Sequence, residues 1–373
     1  MSITPHDERF MAAAIRLSRW HLGRTATNPS VGCLIVKDGV IVGRAVTAFS
    51  GRPHAETQAL AEAGVFARGA TAYVTLEPCS HHGKTPPCAE ALIAYGVARV
   101  VISVTDPDPR VSGRGIAMLR EAGIVVDAGV LEAEGRQSLA AYLTRQTKNR
   151  PYVTLKLAVS ADGMIGREGA GQVAITGPEA RAQVQALRAE TDAILVGIGT
   201  AIADDPLLTV RSPGLESQSP IRIVLDPSLA LPLTSKLVGT AREVPVIVVA
   251  SEEGSLSQVE GDIASTDMDS RRVALEAAGV EVVHCNPYHP EVLLPALATR
   301  GISSLLVEGG AKTARLFLEA GLVDRIQLYQ APVVIGDGGI ESPLGATDIP
   351  SGFAHTGTLM FGGDRLDEYE RGL

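Results

Sequence analysis

Three short segments hold the side chains best suited to chemistry: His54-Ala55-Glu56, Glu77-Pro78-Cys79 and Pro86-Pro87-Cys88. One His and two Cys suit a tetrahedral Zn2+ that keeps its fourth position open for water. Pro87 predicts a helix opening, which puts Cys88 at a helix N-terminus, where the dipole favours the thiolate a metal needs. His54 and Glu56 stand two apart at the start of another predicted helix, so the carboxylate can sit beside a water on the metal. Zinc brings the pKa of such a water toward 7, and Glu56 can shuttle its proton to a leaving amine. The bland alternative is two buried cysteines, a surface His and a Glu that merely favours a helix start.

An H-x-E followed by P-C and a second Cys, in strand–helix context, favours the zinc-deaminase signature over that alternative. The spacing is unusual, because Cys79 and Cys88 are separated by eight residues and not by two. His81 and His82 flank the pocket in this reading, since the metal already has three ligands. Gly83-Lys84-Thr85 looks like the end of a phosphate-binding P-loop, but the glycine required five positions earlier is Pro78.

In the second half, three segments fall where strands are predicted to end: Lys156–Gly163, Gly197–Pro206 and Glu308–Thr313. Ligands collect at the C-terminal ends of strands in open α/β sheets. Gly309-Gly310 before a helix would let backbone N–H groups approach a pyrophosphate. None of the three is G-x-G-x-x-G, because Gly197 and Gly199 are followed by Ile202. Each glycine pair alone reads as a tight turn, and so does Asp204-Asp205-Pro206. Lys156 and Asp162 are further candidate active-site residues.

The elements that must position these groups alternate between strand and helix throughout. Phe10, Met11, Ala14, Ile15, Ser18 and Leu22 share one helical face. Gly32–Val36 and Val40–Val46 read as strands joined by a Lys37-Asp38-Gly39 turn. Helix His54–Ala63, strand Thr71–Thr75, a helix from Pro87 to Tyr95, strand Arg99–Val104, helix Gly115–Ala122 and strand Ile124–Asp127 follow. Helical Leu131–Tyr142 then leads into the polar run Thr144–Arg150, read as a linker, with domains at 1–147 and 148–373. Beyond it the predicted strands are Tyr152–Ala158, Ala193–Gly197, Ile221–Leu225, Val246–Ala250, Glu281–His284, Ser304–Val307 and Arg325–Val334. The predicted helices are Pro178–Ala189, Ser270–Ala278, Pro290–Thr299 and Ala311–Glu319, and polar Gly254–Asp269 reads as a surface loop.

Composition bounds the class. The 373 residues are 45% apolar and 20% charged, which excludes a disordered chain and gives room for more than one domain. Lys and Arg number 33 against 42 Asp and Glu, a net charge of −9, which argues against a nucleic-acid partner. Aromatic residues at 4% leave few platforms for stacking bases. Four cysteines do not make a disulfide framework, and Cys285 reads as an ordinary buried thiol. No apolar run approaches the roughly 20 residues of a membrane span, and no signal peptide is read at the N-terminus. A cytoplasmic protein without membrane partners is expected.

The motifs together resemble the bifunctional riboflavin-biosynthesis deaminase/reductase family. The likeness rests on Asn28-Pro29-Ser30-Val31-Gly32, His54-Ala55-Glu56, the run from Pro78 to Cys88 with its long loop, and Asp106-Pro107-Asp108-Pro109. It implies a cytidine-deaminase-like α/β/α domain followed by a dihydrofolate-reductase-like α/β domain. Asn28, Lys84, Asp106 and Asp108 would then lie near the deaminase substrate. Two departures stand out: Thr47 occupies a position where the family commonly has His, and Asp108 one where it often has Asn. In the second domain the resemblance gives Ala158, Ala174, Thr200, Asp204, Gly310, Ala311, Lys312 and Thr313 as NADPH contacts. It gives Arg188, Leu208, Arg211 and Glu308 as contacts to a pyrimidine ribose-phosphate, and two guanidinium forks suit a phosphate. NADP in preference to NAD comes from the resemblance alone, and a homo-oligomer is expected. The rivals are a cytidine- or tRNA-adenosine-type deaminase with an unrelated second half, and a second half that only senses nucleotide.

Overall fold

Asp38 and Gly39 both take positive φ, 50° and 78°, the twist a two-residue hairpin requires. They join β1 (Gly32–Lys37) to β2 (Val40–Val46), with Lys37 opposite Val40. The computed structural model describes residues 3–82, 86–108, 112–251 and 263–372, and the chain forms two units, Met1–Arg150 and Pro151–Leu373.

In the first unit β3 (Thr71–Leu76), β4 (Arg99–Val104) and β5 (Val125–Ala128) complete a five-stranded sheet of order β2-β1-β3-β4-β5. β1 runs antiparallel to β2 and β3, and β3, β4 and β5 are mutually parallel. Alternate residues feed two apolar layers. Ile35, Val74 and Ile102 face α2 (Ala55–Ala63), α3 (Cys88–Ala94) and α4 (Arg114–Glu121), through Leu60, Leu92 and Leu119. Leu34, Tyr73 and Val101 face Met11 and Ile15 of α1 (Pro5–Ser18). The unit closes with α5 (Glu132–Ser138) and α6 (Ala140–Lys148). The expected single helix is therefore split at Leu139, and the presumed linker Thr144–Arg150 is helical as far as Lys148, because Leu143 and Thr144 turn inward and are buried.

Asp7 ties α1 to the sheet. It is 2% exposed and accepts from Tyr73 Oη at 2.8 Å, Arg99 Nη1 at 2.6 Å, and both the N–H and hydroxyl of Thr4. Burial pushes its carboxyl up, but Arg99, Thr4 and Tyr73 outweigh that and hold it far below the usual carboxylate range. Asp7→Asn should lower the unfolding free energy by about 3 kcal/mol, the low end for a broken buried pair because Asp127 still serves Arg99. Urea denaturation measures this. A depressed folded pKa means that the contribution is full above the unfolded value of about 4 and fades as pH falls below it.

The second unit is built on nine strands: β6 (Tyr152–Val159), β8 (Ala193–Gly197), β9 (Ile221–Leu225), β10 (Val246–Ala250), β11 (Glu281–His284), β12 (Ser304–Glu308), β13 (Arg325–Gln330), β15 (Phe353–Phe361) and β16 (Asp364–Arg371). Their order is β11-β10-β9-β8-β12-β6-β13-β16-β15, parallel except at β13/β16 and β15/β16, while β7 (Met164–Arg167) and β14 (Gly339–Glu341) form a separate ribbon. Leu155, Leu195 and Val307 face α11 (Pro290–Thr299) and α12 (Ala311–Glu319). Ile194, Val224 and Leu306 face the side of α9 (Lys236–Gly239) and α10 (Ile263–Ala278), with Leu187 of α7 (Pro178–Ala189) packed against them. α8 (Ile198–Asp204) follows β8 directly.

Three readings change. β13 ends at Gln330 and not at Val334, since Pro332 lacks the N–H a ladder needs. The segment read as loop up to Asp269 already belongs to α10 from Ile263, and its residues 254–262 lie outside the described residues. The C-terminal hairpin β15–β16 was not expected. Among the described residues no helix is long and apolar enough to cross a membrane.

Candidate active sites

In the first unit α2 opens at His54, which stands at its N-cap, and α3 opens at Cys88 behind Pro87. Cys79 follows the end of β3. These three elements bring His54 Nδ1, Cys79 Sγ and Cys88 Sγ within 4.8 Å of one another. The nitrogen lies 3.7 Å from the Cys79 sulfur and 3.3 Å from that of Cys88. A tetrahedral Zn2+ bonded at its usual lengths sets such atoms about 3.5 Å apart, so the donor set fits the ion. The Cys88 N–H donates to Cys79 Sγ at 3.3 Å. The Cys79 thiol comes down to about 4, first through the Cys88 thiol and then through His54, against its burial.

Glu56, one residue into α2, is 4% exposed, and burial pushes its carboxyl up, so it holds a proton more readily than an exposed glutamate. Glu56, His54 and Cys79 line a cavity of about 250 Å3. Asn28, Asp106 and Asp108 line it as well, together with His81, whereas His82 pairs with Glu90 at 3.6 Å. Asn28 packs against Gly51, whose φ of 84° and missing Cβ leave room for the amide. Lys84 lies outside the described residues. Thr47 lines the cavity, but its hydroxyl accepts the Val31 N–H at 2.9 Å and its carbonyl accepts from His21.

Sequence reasoning missed three residues here. Tyr142 and Arg145 line the cavity from α6, the stretch read partly as linker. Tyr142 Oη donates to both oxygens of Asp106, at 3.1 and 3.0 Å, and fixes that carboxylate. Glu77 is 3% exposed and gathers the N–H groups of Asp106, Gly113, Gly115 and Ile116, which anchors the start of α4 beside the cavity. Its adjacency to Pro78-Cys79 was the one signal available.

The second unit holds a larger cavity, about 460 Å3, at the C-terminal ends of β6, β8 and β12. Ala158, Ala174, Thr200, Asp204, Gly310, Arg188, Leu208, Arg211 and Glu308 all line it. Gly309 and Gly310 have φ of 72° and 71° and lie against Thr200, where a Cβ on either would crowd its side chain. Ala311, Lys312 and Thr313 stand outside this lining: Ala311 and Thr313 are buried in the first turn of α12, and Lys312 is exposed. Arg188 does not offer an open fork. Its Nε and Nη2 donate to the two Glu308 oxygens at 3.0 and 2.9 Å, and both side chains are buried. Lys156 lies beside them with its ammonium 5.5 Å from the Tyr329 ring centre, and burial lowers its pKa. Arg211 makes no side-chain hydrogen bond among the described residues. Asp162 stays out of the cavity lining: its carboxylate accepts from Ser160 and from the N–H groups of Ile335 and Gly336.

An α/β/α unit with a His-Cys-Cys cluster beside a buried glutamate, joined to a parallel-sheet unit with a nucleotide-sized cavity, defines a zinc deaminase coupled to a reductase. The cytidine and deoxycytidylate deaminase zinc-binding region matches residues 4–104, and the RibD C-terminal domain matches residues 151–360. The riboflavin biosynthesis protein RibD of Aquifex aeolicus is 41% identical over 343 residues, 92% of both chains. That of Escherichia coli is 43% identical, over 88% of this chain and 89% of the other. Among solved structures, Acinetobacter baumannii RibD has a TM-score of 0.84 at 35% identity, with 99% of each chain covered. A Thermotoga maritima diaminohydroxyphosphoribosylaminopyrimidine deaminase/5-amino-6-(5-phosphoribosylamino)uracil reductase has 0.84 at 33% identity, covering 98% of this chain and 99% of the other. The chain belongs to the RibD family of riboflavin biosynthesis. It is a bifunctional enzyme that acts on small molecules, a zinc-dependent deaminase and an NADPH-dependent reductase.

Proposed function

We propose that the first unit deaminates diaminohydroxyphosphoribosylaminopyrimidine and that the second reduces the ribose of the phosphoribosylaminouracil product to a ribityl chain. The boundary read at 147/148 moves to Arg150-Pro151, because α6 runs to Lys148. The observation that carries this is Glu56, almost wholly buried against the donor set of His54, Cys79 and Cys88. Those three hold zinc, which when bound supplies the Lewis acidity that makes water a nucleophile near neutral pH. Glu56 carries protons from that water: one ends on the amine nitrogen, which leaves as ammonia, the other on the adjacent ring nitrogen, and the water oxygen becomes the ring carbonyl. Asp106, held by Tyr142, presents fixed acceptors to the pyrimidine, with Asn28, Asp108 and Lys84 as further substrate contacts.

In the second unit NADPH supplies the reducing hydride for ribose C1′ when it is bound. Ala158, Ala174, Thr200 and Asp204 flank it, and Gly310, Ala311, Lys312 and Thr313 offer the start of α12 to its pyrophosphate. Arg211, whose guanidinium makes no hydrogen bond among the described residues, offers its fork to the substrate phosphate. Arg188 contributes through Glu308, whose carboxylate it orients, and Leu208 closes the wall. Reduced thiols at Cys79 and Cys88 suit the cytoplasm. A homo-oligomer accords with β15, which ends the nine-stranded sheet and exposes Leu359 and Met360.

Metal content and both turnovers, measured on the full chain, test this. Wild type should bind one zinc per chain, release ammonia from the pyrimidine substrate and consume NADPH on the deaminated product. Cys79→Ser should lose zinc and ammonia release together while NADPH consumption persists. Zinc and deamination retained by that variant would refute the ligand set, and wild type that binds NADPH without consuming it would refute the reductase assignment.

A further inference from the structure

Arg222 is an arginine in the middle of a core. It lies on β9 between β8 and β10, it is 0% exposed, and Val224 on the same face packs among Ile194, Leu208 and Leu237. Its guanidinium donates to Thr240 Oγ1 at 2.7 Å, to the Thr240 carbonyl at 3.1 Å, to the Val244 carbonyl, and to the Leu207 carbonyl at 3.2 Å. Burial brings its pKa down to about 10, so it stays charged at neutral pH.

The two ends of this clamp differ. Residues 240–244 already form a closed turn, with Thr240 N–H bonded to Lys236 O, and Glu243 and Val244 N–H bonded to Thr240 O. Residues 206–209 have neither helix nor strand to hold them. Upstream, Asp205 is fixed by the Lys236 N–H at 2.8 Å. Downstream, Val210 N–H is fixed by Ser219 and Arg211 N–H by Gln185. Between those anchors, the Leu207 carbonyl is held by Arg222. The next residue, Leu208, sits at φ 56°, a conformation a leucine adopts only when its surroundings impose it. Pro206, Leu208 and Arg211 all line the larger cavity.

We propose that Arg222 is a positioning residue of the reductase, which sets the backbone of 206–209 from within the core so that Leu208 meets the sugar-phosphate. This rests on reading that cavity as the reductase substrate pocket. It acts on substrate and not on NADPH, since Thr200 and Asp204 precede the Asp205 anchor and keep their place without it.

Arg222→Met keeps the apolar stem and removes every donor; Arg222→Lys keeps the charge and some of the reach. With the full chain, reductase KM and kcat, NADPH affinity and ammonia release are measured together. Arg222→Met should raise KM for the deaminated sugar-phosphate by ~10-fold or more, with kcat within about 3-fold, a loss of uniform substrate binding. NADPH affinity and ammonia release should stay at wild-type values, and Arg222→Lys should recover part of the KM. An unchanged KM in Arg222→Met overturns the proposal. If Arg222→Met also loses NADPH binding, Arg222→Lys decides: a raised KM with normal NADPH affinity supports it, and wild-type KM or general loss overturns it. Arg211→Gln, run alongside, tests the pocket itself, because an unchanged KM there overturns the pocket reading and this inference together. A raised KM in Arg211→Gln with a normal one in Arg222→Met overturns the role of Arg222 alone.

Discussion

Glu56→Gln should retain zinc, lower ammonia release by roughly 10²- to 10⁴-fold and leave NADPH consumption untouched. The amide fills the volume of the carboxylate and removes none of the three donor atoms, so metal content reports whether the cluster is intact. It cannot hold and release a proton, whereas the carboxyl it replaces is pushed up by burial. His54→Ala provides the contrast, since it removes a donor atom and should cost metal and turnover together. Metal analysis beside an ammonia assay separates the two. Glu56→Gln turning over at even a tenth of the wild-type rate would remove Glu56 from the reaction.

Glu308→Gln should produce the largest loss in the other half. Glu308 is the carboxylate beside which Arg188, Lys156 and Arg211 all lie, and burial alone would raise its pKa were it not for Arg188, which holds it down. Neutralising it removes the carboxylate that faces Arg188, Lys156 and Arg211, and breaks a buried two-pronged pair. The expected cost is about 3 kcal/mol of stability with reductase activity reduced by about 100-fold, while ammonia release continues. Because the folded carboxyl sits below its unfolded value, the pair contributes fully above about pH 4.3 and loses that contribution as pH falls further. The gap in stability between wild type and variant should therefore be smaller at about pH 3 than at about pH 5 in urea titrations. An equal gap at both values would show that the pair is not what stabilises this wall.

The residues that announce themselves in the sequence are those whose partners are close along the chain. His54 with Glu56, and Cys79 with Cys88, are readable because a metal needs those side-chain types together, and the α/β alternation is readable because burial repeats in step with each element. Glu77 was passed over since its partners are backbone N–H groups at 106, 113, 115 and 116, which no residue pattern marks. Arg188 was read as a fork for phosphate because nothing local reveals Glu308, 120 residues away. The β15–β16 hairpin escaped notice because no residue of β15 is fully buried, so it lacks the burial pattern that marks an inner strand. Arg222 passed as one charge among β-branched neighbours.

Helix α6 is the last element of the first unit, and Tyr142, Arg145 and Gln146 on it wall the zinc-side cavity. The chain turns into β6 within a few residues of its end, so the stretch that looks expendable as a tether is part of the deaminase pocket. Anyone dividing the gene into two open reading frames therefore has almost no latitude. A stop codon placed anywhere from 139 to 146 would yield a protein that keeps His54, Cys79 and Cys88 but lacks part of the wall of the cavity beside them. The natural cut lies at Arg150-Pro151, and a fusion or a fission of these two activities is constrained to that point by a helix and not by a linker.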